Sequence, residues 1–272
     1  MDIRNRVALV TGASRGVGAA VAIALAEAGA DVGLAARSTT DNPHSLPGTL
    51  EATAAAIDKL GRKAVCIPTN LAKEDEVAAM VAGAVDAFGR IDILVNNAAV
   101  AVPNDGTALG RKHFDLLFAV NTRAPMAAMR EAALDMGLRG QGAIVNISSA
   151  AAVYRVPSLT AYGMSKIALE HLTIMASDEL RPRGISVNCF RIDIGTASEG
   201  LLARSGAADH PGWVPPSVAA EGVLWVLQQP AQFTGHIVSM AELRRREGVM
   251  QSQADDAPPG SPIFPADIEN AF

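Results

Sequence analysis

Short apolar segments with the character of β-strands alternate with longer helical patterns over most of this 272-residue chain. The strand segments lie at about residues 6–11, 31–36, 64–68, 92–95, 143–147, 185–189 and 235–239. The helical patterns lie at about residues 17–29, 49–60, 73–88, 109–137, 160–181 and 217–228. Strands that alternate with helices form crossover units, and these build a parallel sheet. We therefore predict one α/β domain over residues 1–240, with a single doubly wound parallel sheet flanked by helices on both faces.

Composition agrees with this sheet and excludes several functions. About half of the residues are hydrophobic (49%), and few are aromatic (4%), which suits strands that are buried on both faces. The net charge of −5 argues against a nucleic-acid partner, and the five histidines are scattered without the spacing of metal ligands. The N-terminus enters its first strand without a signal region, and no apolar stretch is long enough to cross a bilayer. We expect a cytoplasmic protein with no membrane partner and no metal.

The first strand segment runs into a glycine-rich turn and then into an alanine-rich helical segment. Val7-Ala8-Leu9-Val10 is followed by Thr11-Gly12-Ala13-Ser14-Arg15-Gly16-Val17-Gly18, which we call the glycine turn. A strand, a glycine turn and a helix in this order are typical of dinucleotide binding. Gly12 allows a sharp turn, Gly16 the close approach of a pyrophosphate, and Gly18 the packing of helix on sheet. The sheet is therefore predicted to be Rossmann-like, with the anion at the helix N-terminus.

Tyr162 and Lys166 stand four residues apart in one helical pattern, and Ser148-Ser149 closes the strand segment before it. Four residues are a little over one helical turn, so both side chains point to the same face. A tyrosine has an ordinary pKa of about 10 and needs a nearby cation to transfer protons at neutral pH. The pair alone also fits an ordinary amphipathic helix. Its combination with the glycine turn favours a catalytic interpretation.

These motifs occur in one order along the chain, together with Asn96-Asn97-Ala98 and Asn121. Ser149 lies thirteen residues before Tyr162. On these motifs the chain resembles the short-chain dehydrogenase/reductase family over about residues 5–240. The resemblance implies an NAD(P)-dependent oxidoreductase that transfers hydride between nicotinamide C4 and a carbonyl or carbinol carbon.

The resemblance also implies a catalytic role for each of four side chains. Tyr162 acts as the acid/base, and Lys166 lowers the pKa of Tyr162 and binds the nicotinamide ribose. Ser149 orients the substrate oxygen, and Asn121 anchors a water chain in a proton relay. Ser148 is the alternative to Ser149, and the family's spacing from Tyr162 favours Ser149.

The charge at the end of the second strand predicts which dinucleotide binds. In NAD-binding sheets an acidic residue at this point accepts hydrogen bonds from the adenosine ribose, whereas here the strand ends Leu34-Ala35-Ala36-Arg37-Ser38. Arg37 and Arg15 can hold a 2′-phosphate with two guanidinium groups. We therefore expect NADP(H) to be preferred over NAD(H). Residues 38–48 are rich in turn formers and are predicted to form a loop beside the adenosine end of the cofactor.

Further cofactor contacts follow from the resemblance. Asn70 and Leu71 are expected beside the adenine, and residues 97–99 beside the adenosine ribose, with Ala99 in place of the family's usual glycine. The complete set of predicted cofactor residues is Gly12, Ser14, Arg15, Gly16, Val17, Gly18, Arg37, Ser38, Asn70, Leu71, Asn97, Ala98, Ala99, Tyr162, Lys166, Ile194 and Thr196.

The segment after the sixth strand departs from the family pattern. Ile192-Asp193 stands where the family usually has Pro-Gly. Ile194 is expected to contact the nicotinamide carboxamide through its backbone, and Thr196 the carboxamide or the pyrophosphate. Asp193 is interpreted as a helix or turn cap in preference to a polar group beside the substrate.

The substrate end is predicted to be apolar. Residues 197–216 occupy the family's variable substrate lid, and Ala150, Ala151, Val153 and Val156 flank the catalytic serine. Such a pocket fits an apolar ketone, aldehyde or secondary alcohol.

Three expectations concern the end of the chain, its assembly and the class of function. Residues 241–272 are polar and contain proline, and we interpret them as a C-terminal tail. By analogy with the family we expect a homodimer or homotetramer. The alternative function is a non-catalytic NADP(H)-binding redox sensor or scaffold, suggested by the altered Ile192-Asp193 segment and the tail.

Overall fold

A seven-stranded parallel sheet organises this chain in a computed structural model that describes residues 1–103, 108–205 and 212–250. The strands are β1 Val7–Thr11, β2 Asp31–Ala36, β3 Ala64–Pro68, β4 Ile93–Asn96, β5 Gly142–Ser149, β6 Ile185–Ile192 and β7 Ile237–Ser239. Their spatial order is β3-β2-β1-β4-β5-β6-β7, and neighbouring strands are parallel throughout. The predicted doubly wound, Rossmann-like sheet is confirmed.

The helices follow the strands along the chain. They are α1 Gly16–Glu27, α2 Leu50–Asp58, α3 Glu74–Phe88, α4 Arg111–Phe118, α5 Ala124–Arg139, α6 Thr160–Leu180, α7 Glu199–Ser205, α8 Pro216–Gln228 and α9 Met240–Glu247. A π-helical turn, Ala119–Arg123, joins α4 to α5, so the long helical pattern predicted at 109–137 is two helices with a bulge between them. Short 3-10 turns lie at Ala150–Ala152 and Arg181–Arg183.

Helices cover the sheet on both faces because successive strand residues point to opposite sides. Ala8 and Val10 of β1 belong to a core cluster with residues of α1, α2 and α8. Leu9, between them, belongs to a second cluster with residues of α3 and α5. All five residues of β1 are buried. The central strands are therefore apolar on both sides, as the composition indicated.

The order of the strands creates a crevice at one edge of the sheet. β1 pairs with β2 on one side and with β4 on the other, so the chain leaves these neighbouring strands in opposite directions. Ligands bind outside the carboxyl ends of strands at such a switch point. The glycine turn after β1, the residues after β4 and the ends of β5 and β6 all lie at this edge.

The folded chain continues beyond residue 240, where the sequence placed the start of a tail. Helix α9 begins at Met240, and Met250 is completely buried (0% exposed). Met250 Sδ lies so close to Gly222 that a Cβ built on this glycine would be 2.5 Å from it. Sequence patterns did not show this because the contact joins segments distant along the chain. Residues 104–107, 206–211 of the predicted lid and 251–272 lie outside the described residues.

Met250→Ala is expected to lower the free energy of unfolding by about 2–3 kcal/mol, because it removes a fully buried side chain and leaves a cavity. Chemical denaturation measures the change. Leu60→Ala, at a position that is 42% exposed, is the matched control and should cost well under half as much. Equal losses in the two variants would show that residue 250 is not part of the core.

Candidate active site

An open cleft of about 1080 Å³ lies at the carboxyl edge of the sheet. Its wall is built from the loops after β1, β2, β3, β4, β5 and β6 and from α6. The cleft brings together the predicted site residues Gly12, Ser14, Arg15, Gly16, Val17, Gly18, Arg37, Ser38, Asn70, Leu71, Asn97, Ala98, Ala99, Ser149, Tyr162, Lys166, Ile194 and Thr196. Asn121 is the predicted residue that the cleft wall does not include; it is completely buried behind it.

The glycine turn has the shape that a pyrophosphate requires. Gly12 has a φ of +70°, and a Cβ built on it would lie 2.9 Å from Ala98 Cα. A Cβ on Gly18 would lie 2.2 Å from the Gly12 carbonyl oxygen, so α1 can pack this closely on the turn only with glycine here. The N-cap residue Arg15 makes no side-chain hydrogen bond to α1 in the described chain. The first N–H groups of α1 are thus available for an anion.

The end of β4 is tied to the end of β1. The Thr11 hydroxyl accepts hydrogen bonds from the backbone N–H groups of Asn97 (3.0 Å) and Ala98 (3.1 Å), and Asn97 Nδ2 donates to the Thr11 carbonyl (2.8 Å). Asn96 Nδ2 donates to Asn146 Oδ1 (2.9 Å) under the sheet edge. Asn96 and Asn97 therefore form hydrogen bonds with groups of the neighbouring strands β5 and β1. Asn97 also lines the cleft.

Arginine side chains mark the end of the cleft beside β2. Arg15 Nε donates to the Pro47 carbonyl (2.8 Å), and Arg15 Nη2 donates to Ser38 Oγ (2.8 Å) and the Gly48 carbonyl (2.9 Å). Burial lowers the pKa of Arg15, and the positive charge of Arg37 acts in the same direction. Arg37 is exposed at the cleft mouth. The guanidinium groups of Arg15 and Arg37 therefore both lie at the end of the cleft beside β2. Two cations at this end suit a dianionic phosphate.

The loop between β2 and α2 contributes cleft residues that the sequence did not single out. His44, Ser45 and Leu46 line the cleft. His44 Nδ1 accepts a hydrogen bond from the Leu46 N–H (3.0 Å), and burial together with Arg15 and Arg37 lowers the pKa of His44. Turn-forming residues indicated a loop here, but no spacing rule marks which of its side chains turn toward the cleft.

Tyr162 and Lys166 share one face of α6, as predicted. Lys166 is only 2% exposed, and its Nζ donates to the Ile147 carbonyl at the end of β5 (2.8 Å). Nζ lies 5.8 Å from the centre of the Tyr162 ring. A buried ammonium fixed beside a phenol that lines the cleft is an arrangement suited to proton transfer.

The two serines at the end of β5 differ in their surroundings. Ser149 is half-buried in the cleft, and its Oγ accepts from the Ala151 N–H (3.3 Å) at the start of a 3-10 turn. Ser148 is 3% exposed, and within the described residues its hydroxyl has no hydrogen-bond partner. The cleft wall includes both side chains.

Asn121 lies within the π-helical turn and links the cleft wall to α6. Its Oδ1 accepts from the Val100 N–H (2.9 Å), and its Nδ2 donates to the Val100 carbonyl (2.9 Å) and to Ser165 Oγ (3.0 Å). Ser165 Oγ in turn donates to the Tyr162 carbonyl (2.7 Å). π-Helical turns occur often at functional sites. Here the turn directs the amide so that it connects the β4 loop to the helix that carries Tyr162.

The segment after β6 is held by Asp193 and by Trp213. Asp193 accepts hydrogen bonds from Ser239 Oγ (2.6 Å) and from the Ala241 N–H (2.9 Å), which confirms its interpretation as a cap, here at the start of α9. Burial raises the pKa of Asp193. Trp213 packs on Gly195, where a Cβ would lie 2.2 Å from the indole, and Thr196 forms a β-bridge with Val214.

Apolar side chains form a large part of the cleft wall. They are Val100, Ala101, Pro103, Leu116, Val120, Ala150, Ala151, Val156, Leu159, Leu201 and Trp213. The cleft therefore favours a ligand with an apolar part.

With this geometry established, comparison with known proteins identifies the family. A family model for short chain dehydrogenases matches residues 6–195. The chain belongs to the short-chain dehydrogenase family. The matched region includes the glycine turn, Asn121, Ser149 and the Tyr162–Lys166 pair.

Individual relatives agree with this assignment. The chain is 31% identical over 260 residues to a hydroxysteroid dehydrogenase-like protein 2 of Xenopus tropicalis, an alignment that covers 94% of this chain and 61% of that protein. The chain thus spans about six tenths of the length of that relative. A metagenomic short-chain oxidoreductase, solved in complex with NADP, is 31% identical with a TM-score of 0.72, covering 88% of this chain and 98% of the other. A mutant short-chain dehydrogenase/reductase of Serratia marcescens is 32% identical with a TM-score of 0.75, covering 88% and 97%.

Relatives and solved structures that match this chain are named as dehydrogenases or oxidoreductases. Among the helices of the described residues, none is long and apolar enough to span a membrane. In the same part of the chain, no group of three or more His, Cys, Asp or Glu side chains is placed to hold a metal ion.

Proposed function

We propose that the protein is an NADP(H)-dependent oxidoreductase that interconverts an apolar ketone or aldehyde and the corresponding alcohol. The observation that carries the proposal is the position of the Tyr162–Lys166 pair in the wall of the cleft that also holds the glycine turn. One cleft therefore contains a phosphate-binding turn, a proton-transfer group and an apolar substrate end.

The proposed chemistry divides between the cofactor and the side chains. A bound nicotinamide supplies the hydride acceptor or donor. Tyr162 transfers a proton to or from the substrate oxygen, and Ser149 hydrogen-bonds that oxygen and orients it. Lys166 donates one N–H to the Ile147 carbonyl, which holds its positive charge beside the phenol.

Asn121 supports this site from behind. Its three hydrogen bonds fix Val100 and Ser165, and through Ser165 the backbone of Tyr162. We assign it to the proton relay that runs from Lys166 through water to solvent. Its Oδ1 can accept a second hydrogen bond, because an amide oxygen has two lone pairs.

The cofactor contacts follow the cleft from one end to the other. Arg15, Arg37 and Ser38 hold the 2′-phosphate, and the glycine turn holds the pyrophosphate. Asn70 and Leu71 contact the adenine, residues 97–99 the adenosine ribose, and Lys166 the nicotinamide ribose. Ile194 and Thr196 contact the carboxamide end.

Preference for NADP(H) rests on charge at the end of β2. Arg37 directly follows Ala36, the last residue of β2, so it stands where NAD-binding sheets have a carboxylate. Arg15 is fixed by three hydrogen bonds at the same end of the cleft. The structurally similar metagenomic oxidoreductase was solved with NADP, which supports the same choice for this chain.

Association of two or more copies is proposed from an exposed apolar surface on α5 and α6. The surface consists of Met126, Leu134, Leu138, Met164, Ile167, Ile174 and Met175, all between 43% and 90% exposed. Its residues form one stripe on each helix. Exposed apolar surface of this kind marks an interaction site, and two copies meeting through the same stripes form a symmetric dimer.

Tyr162→Phe is expected to reduce turnover at least about 100-fold, because the phenol that transfers the proton is lost while the ring remains. Oxidation of NADPH by a panel of apolar ketones and aldehydes measures it. Tyr154→Phe, a change to the chain's other tyrosine, is the matched control and should retain activity. Turnover that persists in Tyr162→Phe would remove this residue from the mechanism, and a wild type that binds NADPH without turning over any compound would contradict the proposed reaction.

Arg37→Ala is expected to weaken NADPH binding about tenfold or more and to leave NADH binding nearly unchanged, because only the 2′-phosphate makes the charge-assisted contact. Titration by calorimetry gives both dissociation constants. Arg245→Ala, an exposed arginine on α9, controls for the loss of net charge. Equal weakening of NADPH and NADH binding would show that Arg37 does not bind the 2′-phosphate.

Leu134→Glu is expected to shift the protein from an oligomer to a monomer, since it places a charge in the proposed apolar interface. Light scattering coupled to size exclusion gives the mass, and Leu60→Glu, in the turn that follows α2, is the control. A monomeric wild type, or an unchanged mass for Leu134→Glu, would argue against this interface.

A further inference from the structure

Glu199, the first residue of α7, lies against the glycine turn. A Cβ built on Gly16 would be 3.4 Å from Glu199 Oε2 and 3.2 Å from the Cβ of Ser198. Gly16 is the first residue of α1, where the N–H groups that bind a pyrophosphate begin. The carboxylate thus lies beside the first turn of α1, where the glycine turn would hold a pyrophosphate.

The surroundings of this carboxylate are unusual. Glu199 Oε2 is buried, and within the described residues it has no hydrogen-bond partner. Buried carboxylate oxygens are normally paired, because removing a charge from water without compensation is costly. Arg15 is close enough that the negative charge of Glu199 opposes the lowering of the Arg15 pKa by burial. The Nε and Nη2 groups of Arg15, however, donate to residues of the β2–α2 loop, namely Ser38, Pro47 and Gly48.

Two attractions explain why an anion lies there. The N-terminus of α1 carries a partial positive charge, and the guanidinium of Arg15 adds a full one. Both favour negative charge near Gly16, whether it belongs to a phosphate or to a side chain. A carboxylate and a pyrophosphate cannot share the position, since like charges a few ångströms apart repel strongly.

We propose that Glu199 is an internal anion that occupies the phosphate position of the glycine turn in the cofactor-free protein, and that the pyrophosphate of a dinucleotide displaces it. The inference rests on the dinucleotide site described above and adds a residue that lowers cofactor affinity. Because the competition concerns the pyrophosphate, it applies equally to NADP(H) and NAD(H).

Displacement of Glu199 also affects the residues of α7 that form part of the cleft wall. Ser198 directly precedes α7, and its Oγ accepts a hydrogen bond from the Leu201 N–H (3.4 Å). Leu201 and Ala203 line the cleft. A shift of Glu199 away from Gly16 moves the first turn of this helix. Cofactor binding therefore changes the position of residues in the cleft wall.

The test compares cofactor binding in Glu199→Gln, Glu199→Ala and the wild type. Calorimetric titration with NADPH, NADH and ADP-ribose gives dissociation constants without requiring turnover. We expect all three compounds to bind about three- to tenfold more tightly to both variants, and the gain to shrink at high salt. Glu247→Gln, an exposed glutamate on α9, controls for net charge and should bind as the wild type does.

The outcomes separate this inference from the proposed function. Tighter binding of all three compounds to both variants supports displacement, and ADP-ribose assigns the effect to the pyrophosphate half. Unchanged or weaker binding in Glu199→Ala overturns it, because the carboxylate would then be neutral toward the cofactor or a ligand of it. Tighter binding in Glu199→Gln alone also overturns it, since a new amide hydrogen bond would explain the gain. Failure of the wild type and all variants to bind any dinucleotide would overturn the proposed function itself.

Hydrogen exchange provides a second readout. On addition of NADPH, the peptide that contains residues 198–203 should change its exchange rate in the wild type, and much less in Glu199→Ala, where the carboxylate is already absent. The same change in both proteins would show that α7 responds to the cofactor without the displacement of Glu199.

Discussion

The parallel pairing of β1 with both β2 and β4 is the constraint on which the rest of the structure depends. Because every strand runs the same way, every loop that follows a strand emerges at one edge, and the reversal of strand order beside β1 opens a crevice there. The glycine turn, Asn97, Ser149 and Thr196 lie at or after the ends of four strands that are far apart in sequence. They meet in one cleft only because the sheet aligns the strand ends that precede them.

Features that depend only on the residues of one segment could be predicted from the sequence. The strand bounds agreed within a few residues, because runs such as Val7–Thr11 are buried on both faces and contain little else but apolar residues. The glycine turn was predictable for a steric reason, since Gly18 has no room for a Cβ beside the Gly12 carbonyl. Tyr162 and Lys166 were predictable as a pair because helix geometry alone places them on one face.

Contacts between distant segments could not be predicted in this way. The hydrogen bonds from Arg15 to Pro47 and Gly48 depend on how the β2–α2 loop folds back over the glycine turn. The sequence suggested Asn121 through family resemblance, but its link to Val100 and Ser165 needs the π-helical turn, which no periodicity indicates. Met250 falls in a segment whose composition resembles a tail, and its burial follows from a gap beside Gly222 and Phe190.

The two ends of the cleft differ in polarity when no cofactor is present. The glycine turn and the arginines form a positive end that favours an anion, while the opposite end is lined by apolar side chains. In water, an unfilled cationic turn would attract any available anion, and the folded chain supplies one of its own in Glu199. Glu199 is the first residue of α7, and Leu201 of the same helix forms part of the apolar wall. A movement of Glu199 at the phosphate end of the cleft therefore also moves the apolar wall. One side chain thus couples the two halves of the cleft, and the polarity of each half is set by residues that the sheet edge brings together.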